Sequence, residues 1–442
     1  MRFTSGLGVV AFACLSILGC SITGGSGSSS GSSGSIVGTP DDGTSPGKQR
    51  CADGSEPAPE PPPPTSIEGT GPITGDGEVR GTGGVAVGGC PEDRGGAYAD
   101  AGAAPAPAPP SSDGSSSSGG SSGSSVSSSG GSSSGGSSSS SGGSSVGAGV
   151  LTAGVWDDNR NFSRFLSYRD QVTSGALPGL LPIDVAEHQA ANAAVAQPSA
   201  KQKLDVSLVI DTTGSMGDEI AYLQKEFDAL AATIQAKFPG AEQRWSLVVY
   251  KDDTDEYVVR WYDFRSDTGE FRSKLAAQSA GGGGDFPEAA DRAVDVGTRL
   301  SWRQDPNVAK LMFWVADAPH HDGTEQKLAD AIRSARTKGI HIYPVASSGI
   351  DELTELTMRT SAQLTGGRYL FLTDDSGVGG PHKEPNIACY FVTKLDKAIL
   401  RMVDVEMSGV YREPDAADVL RTGGDPQSGV CQLEGGQQAT IY

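Results

Sequence analysis

Between residues 204 and 408 the apolar positions alternate between two spacings. Leu204-Asp-Val-Ser-Leu-Val-Ile210 reads as a buried strand, and Ile220, Leu223, Phe227, Leu230 and Ile234 then recur at steps of three and four, which predicts an amphipathic helix. Pro239-Gly240 ends that helix. Two strand-like runs follow, 244–250 and 257–264, joined by the polar turn Asp252-Asp-Thr-Asp255; a close hairpin makes the second an antiparallel edge strand. Helices are expected over 268–278 and 287–300. The almost continuous apolar run 310–316 has the character of a central parallel strand covered on both faces. The alternation continues with helix 325–338, strand 340–346, helix 351–364, strand 368–372 and a last helix from about Tyr390 to Met407. Strands alternating with helices predict an α/β fold, a doubly wound and mostly parallel sheet. Ligands of such sheets bind outside the carboxyl ends of the strands, where the strand order reverses.

The rest of the chain lacks this alternation. Residues 21–148 are dominated by Ser, Gly, Pro and Ala, with too little apolar surface to offset the entropy of ordering, so they are expected to form a disordered tether. A flexible coil of about 130 residues has an r.m.s. span of about 60 Å, and its fully stretched reach is roughly 400 Å. Residues 149–203 form a lead-in segment, in which Asp157, Asp158 and Asn159 read as turn or helix-cap residues before cation ligands. Residues 409–442 form a C-terminal tail.

The formal net charge is −20 and no basic cluster appears, which argues against nucleic acid as a partner. The first strand-to-helix turn lacks Gly-x-Gly-x-x-Gly spacing, and no Gly-Lys-Ser/Thr motif occurs, so no nucleotide is expected. At the N-terminus, Arg2 precedes an apolar stretch from Leu7 to Leu18, too short to span a bilayer comfortably and typical of an export signal. Ile17-Leu-Gly-Cys20 resembles the bacterial lipoprotein cleavage box, which implies a signal over 1–20 and a lipid on Cys20; an ordinary secretory signal is the alternative. With Ser21 next, the resemblance implies an outer-membrane or cell-surface protein held to the membrane by its lipid, or a secreted one without it. Of six cysteines, Cys14 would leave with the signal and Cys20 would carry lipid. Cys51, Cys90, Cys389 and Cys431 remain, enough for two disulfides in three possible connectivities, Cys51–Cys90 and Cys389–Cys431 being the most local.

Chemistry concentrates at the strand ends. Asp211-Thr-Thr-Gly-Ser215 leaves the first strand as a carboxylate and hydroxyls, and Asp285 and Asp317 stand at later junctions between strands and helices. Hard oxygen ligands of this kind suit Mg²⁺, Mn²⁺ or Ca²⁺. Each piece also has a plain reading: Ser215 with Asp218, and Asp285 with Glu288, both have capping-box spacing. The neighbours His320 and His321 do not present the i, i+4 pair of a helical zinc site.

Asp211-x-Thr213-x-Ser215, Gly281-Gly-Gly-Gly-Asp-Phe-Pro-Glu288 and Trp314-Val-Ala-Asp-Ala-Pro-His-His321 together resemble the motifs of the von Willebrand factor A (vWA) family over roughly residues 200–408. The resemblance implies the Rossmann-like vWA fold and a metal-ion-dependent adhesion site. Thr213 and Ser215 would ligate Mg²⁺ directly, Asp211 and Asp317 would hold its waters or stand behind it, and a protein partner's carboxylate would fill the open position. In place of the family's usual Thr stands Asp285, which makes the site more anionic, holding the cation more tightly but weakening its pull on an acidic ligand. The expected function is metal-dependent protein binding or adhesion, without catalysis. The rivals are a metal-dependent hydrolase and a surface module whose ion only stabilises the fold.

Overall fold

The structure, a computed structural model, describes residues 71–83, 150–196, 199–284 and 286–442. In chain order the first elements are β1 (Gly77–Arg80), β2 (Thr152–Trp156), α1 (Phe162–Ser174), α2 (Val185–Ala194), β3 (Lys203–Asp211) and α3 (Gly217–Lys237). Next come β4 (Glu242–Tyr250), β5 (Tyr257–Arg265), α4 (Thr268–Ala276), α5 (Ala290–Arg299), β6 (Val308–Ala316), α6 (Glu325–Thr337) and β7 (His341–Ala346). The chain ends with α7 (Glu352–Thr365), β8 (Tyr369–Leu372), β9 (Tyr390–Lys394), α8 (Leu395–Ser408), β10 (Val419–Gly423), β11 (Pro426–Gln427), β12 (Val430–Gln432) and β13 (Gln438–Thr440).

Ten strands make one sheet in the order β1-β5-β4-β3-β6-β7-β8-β2-β9-β10. Its parallel centre is β4-β3-β6-β7-β8, and the stretch from β5 to β8 has the 3-2-1-4-5-6 order of doubly wound sheets. Both faces are covered, which is why the central strands are apolar on both sides. On β6, Leu311, Phe313 and Val315 face the core shared with α3, α4 and α8. Met312, Trp314 and Ala316 face the opposite core, shared with α5, α6 and α7. Among the described residues, no helix is long and apolar enough to cross a membrane.

Four expectations need correction, and the first two share a cause: strands that pair with distant partners carry little local signal. Residues 77–80, placed inside the tether, add β1 antiparallel to β5, so β5 is not an edge. Apart from residues 71–83, the range 21–148 lies outside the described residues, as do Cys20, Cys51 and Cys90. The lead-in is an integral part of the fold: β2 inserts between β8 and β9. The last helix begins at Leu395, because Tyr390–Lys394 pairs as β9. The tail is also structured: β10 joins β9, and β11–β13 form a small sheet. That sheet is tied to the domain by the Cys389–Cys431 disulfide, with Cα atoms 6.1 Å apart. Asn161 holds it a second time, bonding both the N–H (2.8 Å) and the C=O (2.7 Å) of Thr440.

Behind β2 lies a buried polar layer. Arg359 of α7 forks onto Asp158 (3.0 and 2.8 Å) and also reaches Glu355 (3.1 Å), with the Tyr168 ring 4.0 Å from its guanidinium. Asp157 caps the turn through the N–H groups of Asn159 and Arg160 and pairs with Arg368 at 2.9 Å. Asn159 accepts bonds from the side chains of Gln363 and Asn192. These three residues are therefore turn and ion-pair groups rather than cation ligands. Replacing Arg359 by Met leaves the buried Asp158 without its partner. The expected loss is roughly 3–5 kcal/mol of unfolding free energy in urea titrations; a loss below about 1 kcal/mol would contradict this view of the layer.

Candidate metal centre

Strand β3 ends at Asp211, and backbone geometry fixes the turn that follows. The Thr212 N–H and hydroxyl both donate to the Tyr250 carbonyl, at 2.9 and 2.8 Å. The Thr213 N–H and hydroxyl both donate to Asp211 Oδ1, at 2.9 and 2.7 Å, and Ser215 Oγ lies 3.3 Å from the Thr213 hydroxyl. The glycine-rich loop is stitched to this turn by Gly214 N–H to Gly282 O and Gly281 N–H to Thr212 O, both 3.1 Å. The close fit depends on glycine: Gly282 and Gly283 have φ of +83° and +74°, and a Cβ on Gly282 would strike the Asp255 carboxylate. Farther along, the Glu288 N–H donates to Pro319 O at 2.8 Å, which sets Glu288 beside the segment that carries Asp317.

These segments converge on a cleft of about 320 Å³ lined by Ser215, Phe286, Glu288, Asp317 and Ser348, with the fully buried Asp211 behind Thr213. Burial, and then the charge of Asp317, push the Asp211 carboxyl up to about 7. Burial raises Glu288 to about 9, reinforced by Asp211, Asp252, Asp255 and Asp317. Burial also raises Asp317, against a hydrogen bond from Ser215. Asp211 Oδ2, Asp317 Oδ1 and Glu288 Oε2 are buried without a hydrogen-bond partner. Buried oxygens left without partners are costly, and several acids in one small space disfavour one another's ionised forms.

The donors are all hard oxygens, and their orphaned lone pairs fit Mg²⁺, Mn²⁺ or Ca²⁺. Among the described residues, no three His, Cys, Asp or Glu side chains are grouped to hold a metal, so the fit depends on the Thr213 and Ser215 hydroxyls. Asp211, Thr213, Ser215 and Asp317 come together, whereas Asp285 lies outside the described residues. Neither capping-box reading survives. Helix α3 has Met216 as N-cap and α5 has Ala289, neither with a side-chain cap bond. Helix α5 starts at Ala290, so Glu288 precedes it and is free to face the cleft.

Sequence reasoning missed two acids at this site. Glu288 was read as a cap because its spacing from Asp285 suited one. Glu219, fully buried, accepts from the Ser348 hydroxyl and its charge adds to the upward push on Asp317; an acid in the first turn of a helix ordinarily reads as a dipole companion. The histidines face elsewhere. His320 Nε2 is 2.9 Å from the Gly179 carbonyl and His321 Nε2 is 2.5 Å from Asp252 Oδ1.

Residues 205–377 match the family model described as von Willebrand factor A domain. That segment is similar to a vWA domain. A vWA domain is a protein-interaction module, which is the coarse function this match supports. An alpha-protein kinase of Dictyostelium discoideum is 26% identical over 144 residues, which cover 32% of this chain and 23% of that protein. An ariadne-like RING finger protein of Acanthamoeba polyphaga mimivirus is 24% identical over 191 residues, 38% of this chain and 18% of that protein. The chain thus spans less than a quarter of either relative. A solved structure, the conserved hypothetical protein BatB from Bacteroides thetaiotaomicron, is 14% identical with a TM-score of 0.30, covering 46% of this chain and 98% of that one.

The acid cluster of this vWA-like domain predicts an unusual pH profile for the metal-free protein. A carboxyl raised from 3.8 to about 7 keeps a proton in the folded state that the unfolded chain has lost. Stability therefore falls as pH rises from about 4 to about 7, by on the order of 2–4 kcal/mol from Asp211 alone. Glu288 extends the decline toward about pH 9. Urea midpoints of metal-stripped protein at pH 5, 7 and 9 should fall in that order, and Asp211→Asn should remove the first part of the fall. A flat profile would show that the acids are not crowded in solution.

Proposed function

We propose that Asp211, Thr213, Ser215 and Asp317 hold a divalent cation, Mg²⁺ or the chemically similar Mn²⁺ or Ca²⁺, and that the vWA domain binds a protein partner through that site. The observation that carries this reading is the pair of unpartnered, buried carboxylate oxygens on Asp211 and Asp317, with Ser215 and Asp317 lining one cleft and Thr213 linking Ser215 to Asp211. Thr213 spends both donors on Asp211, which orients its hydroxyl oxygen so that a lone pair remains for a ligand. Bound there, a cation offsets the crowded negative charge and offers a Lewis-acidic point to an acidic side chain. Glu288 makes the surroundings more anionic, which strengthens cation retention and weakens the pull on an acidic partner. The export signal, the lipidation box at Cys20 and the Ser/Gly/Pro-rich segment support display of the domain at the cell envelope, anchored by lipid to the outer membrane or cell surface.

Calorimetry on metal-stripped protein, paired with pull-downs from the producing cell's envelope with and without chelator, tests both halves. Mg²⁺ or Mn²⁺ should raise the melting temperature, and Asp211→Ala or Thr213→Ala should weaken metal binding by at least about 10–100-fold. A partner should elute with chelator and fail to bind Asp211→Ala. An unchanged metal response in Asp211→Ala would overturn the site. A metal response without any chelator-sensitive partner would overturn adhesion and leave an ion that only stabilises the fold.

A further inference from the structure

A cavity of about 620 Å³ lies at the pole opposite the candidate metal cleft, at the amino ends of β6 and β7. Strand β6 is nine residues long, which places the two about 30 Å apart. Lys201, Lys310, Arg336 and Lys338 line it, all half-buried. None has a carboxylate partner among the described residues. Lys201 donates to Pro306 O (2.9 Å), Lys310 to Lys338 O (2.7 Å), Lys338 to Thr298 O (2.8 Å) and Arg336 to Ala190 O (3.2 Å). An ammonium has three donors, so each lysine keeps two without a protein acceptor.

The two carboxylates on the cavity wall are already engaged. Asp305 pairs with Lys203 at 2.8 Å, and Glu406 takes His341 (2.8 Å) and the Tyr343 hydroxyl (2.5 Å). Capping of helix ends explains part of the arrangement, since Lys310 binds a carbonyl at the end of α6 and Lys338 is its C-cap. Magnitude decides against capping as the whole account: the carboxyl ends of α6 and α7 supply about half a negative charge each, against four full cations. Burial lowers the Lys310 ammonium; the charge of Asp205 raises it in part, and the charges of Lys201 and Lys338 lower it again, so these groups sense one another. A local positive excess inside a chain of formal charge −20 is the reverse of the background.

We propose that this cavity binds a multiply charged oxyanion of the phosphate-ester or pyrophosphate class, with Lys201, Lys310, Arg336 and Lys338 as its donors. Compact ammonium groups serve phosphate oxygens as point charges, and the single guanidinium adds a planar fork. The site does not depend on the cation proposed at the opposite pole.

Inorganic pyrophosphate titrated calorimetrically into the metal-stripped full chain, dialysed free of chelator at low salt, tests the assignment. The expected result is saturable one-site binding that weakens as sodium chloride is raised and drops at least about tenfold in Lys201→Ala/Arg336→Ala. Those two side chains bond only to surface carbonyls, so the fold should survive; unfolding midpoints check this, and each single variant serves if the double does not fold. Absence of saturable binding, or an unchanged affinity in folded variants, overturns the proposal.

Discussion

Strands β3 and β6 pair in parallel from Lys203 opposite Val308 to Ile210 opposite Val315. That register is the constraint on which the site depends. Two residues more than a hundred positions apart, Asp211 and Asp317, must leave the sheet side by side, because the strands that carry them end together. The pair is buried on both faces by helices, so neither strand can slip by one residue without turning its apolar set toward the wrong core. The cost of crowding acids at that end is carried by the packing beneath it. Strained or unfavourable groups persist only where the surrounding structure over-determines them.

The loops then refine what the register begins. Thr212 anchors the first turn to β4 through two bonds to one carbonyl, and the glycine loop folds onto that turn through backbone bonds alone. Glu288 arrives last, held by its own N–H to the segment after Asp317. The result is a cleft whose wall is set by main-chain geometry, while the side chains supply oxygens with no protein partner. A scaffold of this kind is pre-organised for a ligand with complementary charge.

Charge is distributed along the strand axis. Acids crowd the carboxyl ends of the parallel strands, and cations without carboxylate partners gather at the amino ends. On the far side of the sheet the pattern differs. Asp157, Asp158, Glu355, Arg359 and Arg368 neutralise one another in the interior, which locks β2 and α7 together rather than offering charge to a ligand.

The alternation of apolar periods determined the parallel centre, its helices and the motif positions at 211–215 and 317, because each element there buries a complete face and its spacing is visible locally. The same reading could not find β1, β2, β9 or β10. Most of them are defined by partners distant in the chain: β1 pairs with a strand about 180 residues away, and β2 is flanked by strands more than 200 residues on, one of them β9. Nor could it separate Glu288 from a helix cap, since the two roles share one spacing and only the true start of α5 tells them apart. Residue types and order are local properties of a chain. Which oxygens remain without partners, and which cations share one cavity, depends on distances that exist only after folding.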